Sequence, residues 1–331
     1  MTTPTDENRT QPSILRRIFF EPFQVRLRSG WRLLLHTILT IFLLFFFSAL
    51  ITLLGTSLGL AEIDVSDPAQ LNSPLLLLGP LIGITAATWI ARRWLDRRSF
   101  QSLGFAFDEL AIRDLLFGIL MPAALFALIF LFEWIVGWLQ VEGTAFSANE
   151  VSSPIGPFLS AAVTFIIVGY QEELLSRGYH LQNLIEGTNI PIGLFISSGI
   201  FALLHAANPG ASVLSTLGIL LAGYFLAFGW LRTGQLWLPI GLHIGWNFFQ
   251  GTVFGFRVSG TSGFSLIRHS VDGPRLITGG AFGPEAGLVG FVAMALGAAA
   301  IWWYTQGRET ELRPEPVASE FPHPGETGPG H

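Results

Sequence analysis

The chain contains no cysteine and no lysine. Without cysteine there is no disulfide, no thiolate metal site and no cysteine nucleophile. Without lysine there is no Schiff base and no Ser-Lys dyad. All 18 basic residues are arginine. Charge is scarce as well: Asp, Glu and Arg make up 12% of the 331 residues. No basic stripe with interleaved aromatics is present, so a nucleic-acid partner is not expected. What remains is apolar. Half of the residues are hydrophobic, and the mean hydropathy is +0.54. These values describe an integral membrane protein and not a soluble domain.

Segments needing about 20 apolar residues to cross a bilayer are found at 33–57, 74–94, 114–140, 155–176, 190–208, 212–231, 236–256 and 284–304. The fold class expected is therefore all-α and polytopic, with about eight transmembrane helices and its functional site in a central polar cavity. The first apolar run follows a polar, arginine-containing leader and is too long for the core of a signal peptide, so it reads as a first span. Residues 1–15 read as a disordered tail and 306–331, rich in Pro, Glu and Gly, as another. Residues 16–32 mix arginines with Phe19, Phe20, Phe23 and Trp31, the pattern of a basic interfacial segment. The transmembrane domain spans 33–305. The polar linker 178–189 either prolongs the fourth helix or lies along the interface.

Arginines set the expected orientation. The leader and the connection holding Arg92, Arg93, Arg97, Arg98 and Arg113 fall on one side. The first and third connections carry Glu62, Asp64, Asp67, Glu142 and Glu150 without arginine. Both termini are thus expected in the cytoplasm, with the plasma membrane of a prokaryote as the expected location. The loop 257–283 conflicts, because it holds Arg257, Arg268 and Arg275 on the outer side. It is Gly-rich and expected to dip into the membrane or fold over the site.

Against this apolar background one stretch stands out: Tyr170-Gln171-Glu172-Glu173-Leu174-Leu175-Ser176-Arg177-Gly178. Ionised groups at membrane depth cost roughly 2.5–3.5 kcal/mol each on insertion scales, so they face protein or water. Glu173 and Arg177 are four apart and can pair across one helical turn. Glu172 is rotated about 100° away and lacks that partner, which leaves it as the candidate general base. His205 closes Phe201-Ala202-Leu203-Leu204-His205, just before Asn208-Pro209-Gly210. His243 and Asn247 lie four apart in the seventh span and share a face. A lone intramembrane histidine usually makes a helix–helix hydrogen bond. His36 and His180 are expected at the interface, and Glu133, beside Trp134 and Trp138, in the outer aromatic belt.

Together the groups suggest more. Buried polar groups need partners, and the least costly arrangement brings Glu172, Glu173, His205, His243 and Asn247 to one cavity. The turn at 187–188 lies about 15 residues after Glu172 and about 17 before His205, which puts those two at similar depth. A glutamate and a histidine can hold and deprotonate a water, while a histidine and an asparagine can stabilise an oxyanion. Glu172, His205 and His243 could instead ligate a zinc with a water in the fourth position.

The succession Glu-Glu-x-x-x-Arg, Phe-x-x-x-His and His-x-x-x-Asn resembles the CPBP family, the CAAX-protease and bacteriocin-processing proteins also called Abi. The motif region is 165–250, and Ser102-Leu103-Gly104-Phe105 is similar to a short segment these proteins often carry. The resemblance implies an intramembrane endopeptidase of eight helices with a cavity open toward the cytoplasm. It implies that Glu172 with His205 activates the water, that His243 with Asn247 forms the oxyanion hole, and that Glu173, Arg177 and Phe201 support them. The family has been described both as metalloproteases and as glutamate proteases. No cofactor is the expectation, with zinc or another divalent ion as the alternative. Ser176 departs from the aromatic often found before the arginine. The expected partners are membrane lipid and a peptide or membrane-protein substrate, lipidated ones included. The alternative functions are a non-catalytic regulatory or immunity protein of the same fold, and a proton-coupled transporter. The transporter is disfavoured because no internal repeat is evident.

Overall fold

The computed structural model describes residues 14–21, 26–59, 73–147 and 153–308. The two expected tails lie almost wholly outside this range. Eight helices form the body: α1 (Ser29–Ser57), α2 (Pro74–Leu95), α3 (Glu109–Ile135), α4 (Ile155–Gly187), α5 (Ile190–Leu204), α6 (Val213–Thr233), α7 (Trp237–Asn247, prolonged by the π-helical turn Phe248–Val253) and α8 (Leu288–Tyr304). Five of them, α1 to α4 and α6, are long and apolar enough to cross a membrane on their own. The protein is all-α and polytopic, and the only sheet among the described residues is one two-stranded ribbon.

Their order follows from local chemistry. Ser73, Asp108, Asn189 and Ser212 each cap a helix by accepting a backbone N–H with the side chain. Gly234 closes α6 with φ +65°, a conformation only glycine adopts freely. Helices α3 and α7 pack closely because glycines face the partner backbone. A Cβ on Gly245 would meet the carbonyl of Ile119, and one on Gly241 the carbonyl of Leu115. Small residues permit such approach where no hydrophobic effect drives helices together. Gly245→Ala is expected to destabilise by at least about 1–3 kcal/mol, the cost of overpacking. Thermal unfolding in detergent checks this.

Several boundaries differ from the expected ones. The third span was expected to reach residue 140, but α3 ends at Ile135. Gly137, at φ +79°, turns the chain, and Leu139–Thr144 (β1) pairs antiparallel with Ile267–Val271 (β2). The fifth was expected to reach 208, but α5 ends at Leu204, leaving His205 as its C-cap. A helix cannot run comfortably into Pro209. The segment 178–189 prolongs α4 as far as Gly187, so the helix is 33 residues long.

Interior polar groups are also more numerous than expected. Arg16, Arg17 and Arg28 are exposed, but Arg26 and Arg32 turn inward. Arg26 pairs with Glu186, and Arg32 bridges Asp96 (2.8 Å) and Glu186 (2.9 Å). Arg92 holds the other oxygen of Asp96 at 2.9 Å. His36 and His180 pack against protein groups. His36 is fully buried, stacks on Tyr179 with ring centroids 3.8 Å apart, and its Nδ1 lies 3.3 Å from His180 Nε2. Glu133 is not in an exposed belt either. It is buried, and neither carboxylate oxygen has a hydrogen-bond partner among the described residues.

Candidate active site

The Glu-Glu stretch closes the first regular part of α4. Glu173 is the last α-helical residue before the π-helical segment Leu174–His180, after which Leu181–Gly187 is α-helical again. Asn247 holds the same place in α7, directly before the π turn Phe248–Val253. Such π segments widen a helix locally and often occur at functional sites.

The expected i,i+4 pair is present. Arg177 Nη1 donates to Glu173 Oε1 at 2.8 Å, and both side chains are buried. Arg177 Nη2 donates to the carbonyl of Gly223, and the guanidinium lies 4.3 Å from the centroid of the Phe201 ring. Phe201 thereby ties α5 to the ion pair. Glu173 has a second role that the residue spacing did not reveal. Its Oε1 also lies 2.8 Å from His243 Nδ1. A carboxylate only accepts, so Nδ1 carries a hydrogen and donates it. This fixes the imidazole and turns Nε2 toward the cavity, 3.7 Å from Glu172 Oε2.

His205 is held from the other side. Its Nδ1 lies 2.8 Å from the carbonyl oxygen of Phe201, so Nδ1 donates, and in the neutral ring Nε2 is the acceptor. The Phe201 ring stands between the two histidines, 4.7 Å from His205 and 6.1 Å from His243 by centroids. Glu172, whose side chain is 31% exposed, borders one cavity of about 860 Å³ together with His205, His243 and Asn247. All four candidate reacting groups therefore border the same space. Glu173 and Arg177 lie behind it and Phe201 within its wall.

One residue of this cavity was missed. Glu285, in the turn before α8, is buried and reaches the same space. It accepts from the backbone N–H of Ser259, from Ser259 Oγ at 3.0 Å and from Trp246 Nε1 at 3.2 Å. Glu285 falls in the expected eighth span, 284–304, which did not single it out. Its partners are distant in sequence and left no local signal. The loop 257–283 folds against the site, with Ser259 and Thr261 to Phe264 lining the cavity.

Among the described residues, no three His, Asp or Glu side chains stand close enough together to hold one metal ion. One oxygen of Glu173 is taken by Arg177 and His243, and Nδ1 of both histidines is engaged. Nε2 of each histidine is left as the nitrogen that could face a metal, but Glu172, His205 and His243 do not stand as one ligand group here, and no step is routed through a metal.

Residues 154–249 match the family model Rce1-like, described as type II CAAX prenyl endopeptidase Rce1-like. The match covers all three motifs, and the similarity of that segment to CAAX proteases agrees with what their succession implied. No curated protein and no solved structure matches the chain.

Proposed function

We propose that this integral membrane protein is a CAAX-protease-like intramembrane endopeptidase that hydrolyses a peptide bond with an activated water. The observation that carries the proposal is the convergence of Glu172, His205, His243 and Asn247 on one cavity. A water between Glu172 and His205 Nε2 meets two acceptors. Its oxygen attacks the peptide carbonyl carbon while Glu172 takes its proton. The carbonyl π electrons move to oxygen, and the oxyanion is met by Asn247 Nδ2 and His243 Nε2. Nδ1 of His243 already donates to Glu173, so donation from Nε2 uses the doubly protonated ring. The carboxylates of Glu172 and Glu173 on either side offset that charge. Collapse of the intermediate breaks the C–N bond, and the proton held by Glu172 passes to the leaving amine. Arg177 and Phe201 are positioning residues, acting through Glu173 and His205.

The test is cleavage of a broad peptide panel by purified protein in detergent. Asn247→Ala is expected to lower kcat by about 10²–10³-fold with KM little changed, the usual loss for one oxyanion donor. Glu172→Ala, His205→Ala and His243→Ala are expected to lose cleavage. Activity retained after chelation supports the metal-independent form. Undetectable cleavage by the wild type across the panel, or variants as active as wild type, contradicts the proposal.

By the asymmetry of its arginines, the protein places the end of the bundle that carries residues 29–36, 91–105 and 305–308 in the cytoplasm.

A further inference from the structure

Most of the arginines lie at the end of the bundle opposite the cavity mouth. One end is tied together by Arg32 with Asp96 and Glu186, and by Arg308 with Asp114. Arg9 and Arg313 fall outside the described residues. Of the other sixteen arginines, only Arg257, Arg268 and Arg275 belong to the far half, and thirteen to this one. The cavity reaches the other end. Its rim includes Ser73 at the start of α2, Pro157 near the start of α4, Asn208 after α5, and Thr261 to Phe264. Glu172 forms its floor, about 25 Å along α4 from Ile155 at 1.5 Å per residue.

The two walls differ in chemistry. The α1 and α2 side is mostly apolar, with Leu44, Pro80 and Ile84, while α4 sets Phe165 and Val168 beside Ser160, Thr164 and Gln171. The loop side carries hydroxyls on Ser259, Thr261 and Ser262. That loop is firmly held: Asn208 Nδ2 donates to the Ser259 carbonyl at 3.0 Å, Gly260 N–H donates to the Phe282 carbonyl at 2.7 Å, and Glu285 clamps Ser259. Ser259 and Gly260 take positive φ, 46° and 84°, to make these contacts. Ser160 of α4 and Leu204 of α5 border the cavity and are exposed.

We propose that the catalytic cavity is entered from the extracytoplasmic face, and that its substrate is an exported or membrane-anchored polypeptide. Its apolar flank lies against α1 and α2, and its backbone lies against the hydroxyl-bearing loop. The resemblance to CAAX proteases implied the opposite side. What the cavity admits rests on the endopeptidase reading; which way it faces does not.

The absence of cysteine makes the test direct. Ser262→Cys marks the mouth and Gln101→Cys the arginine-rich end; both positions are exposed. Each variant is expressed in bacterial membranes and treated with a membrane-impermeant maleimide, in intact spheroplasts and in inverted vesicles. Cysteine at 262 is expected to react from outside, and cysteine at 101 only in inverted vesicles. A bulky maleimide at 262 is then expected to lower peptide cleavage at least tenfold, and one at 101 to leave it unchanged. Reaction at 262 only in inverted vesicles overturns the orientation. Reaction from outside with cleavage unaffected by the bulky group overturns the route of entry. If unmodified protein cleaves nothing in detergent, the peptidase reading fails, while the direction of labelling still decides which way the cavity faces.

Discussion

Glu172→Gln is expected to lower kcat for peptide hydrolysis by about 10²–10⁴-fold, the span of a lost general base. The substitution keeps the size and hydrogen-bonding reach of the side chain but removes its capacity to take a proton from water. The fold should tolerate it. Glu172 is partly exposed in the cavity, and its ion contact, with His243 Nε2, is long at 3.7 Å. KM and the unfolding temperature in detergent are therefore expected to stay close to wild type. A fall in both kcat and stability would instead assign Glu172 to the framework, alongside its neighbour.

The neighbour is expected to behave in the opposite way. Glu173→Ala leaves Arg177 buried without its carboxylate, and Arg177→Ala leaves Glu173 buried without its cation. Breaking a buried pair by removing one partner costs about 3–5 kcal/mol. Both variants should unfold at markedly lower temperature and be inactive. Replacing the pair together by Glu173→Gln with Arg177→Met removes both charges and is expected to recover most of that stability, since well-packed neutral replacements of a buried pair are often neutral. Activity should recover less than stability. His243 Nδ1 has lost its carboxylate, which oriented the ring and offset its charge. If activity returns fully with stability, Glu173 only holds the helix in place. A kcat that stays low with KM near wild type assigns it the positioning of His243.

Much of this site was legible because helices make spacing into geometry. The spacing of four from Glu173 to Arg177, and of four from His243 to Asn247, predicted shared faces, and the first pair is found bonded. Depth reckoning from the turn at 187–188 works because α4 continues as helix to Gly187. Other features were hidden because they depend on contacts between distant segments. Glu285 joins the cavity through Ser259 and Trp246, 26 and 39 residues away. The ribbon of β1 with β2 joins residues near 140 to residues near 270, and neither strand alternates strongly enough to announce itself. His36, His180, Arg26 and Arg32 read as interfacial because a chain rich in arginine near a span usually keeps it in water. Here Asp96 and Glu186, each remote in sequence, draw the two arginines inside, and His36 follows through Tyr179. The direction of the cavity mouth was beyond reach for a similar reason. It is set by which loops surround the polar cluster, and those are the loops opposite most of the arginines.

The most direct measurement is mass spectrometry of peptide fragments formed in ¹⁸O-labelled water by purified wild type and Glu172→Gln protein. The account predicts wild-type fragments carrying one ¹⁸O in the new carboxyl group, and none formed above background by the variant. Intact peptides after incubation with wild type, or labelled fragments produced equally by both proteins, would contradict it.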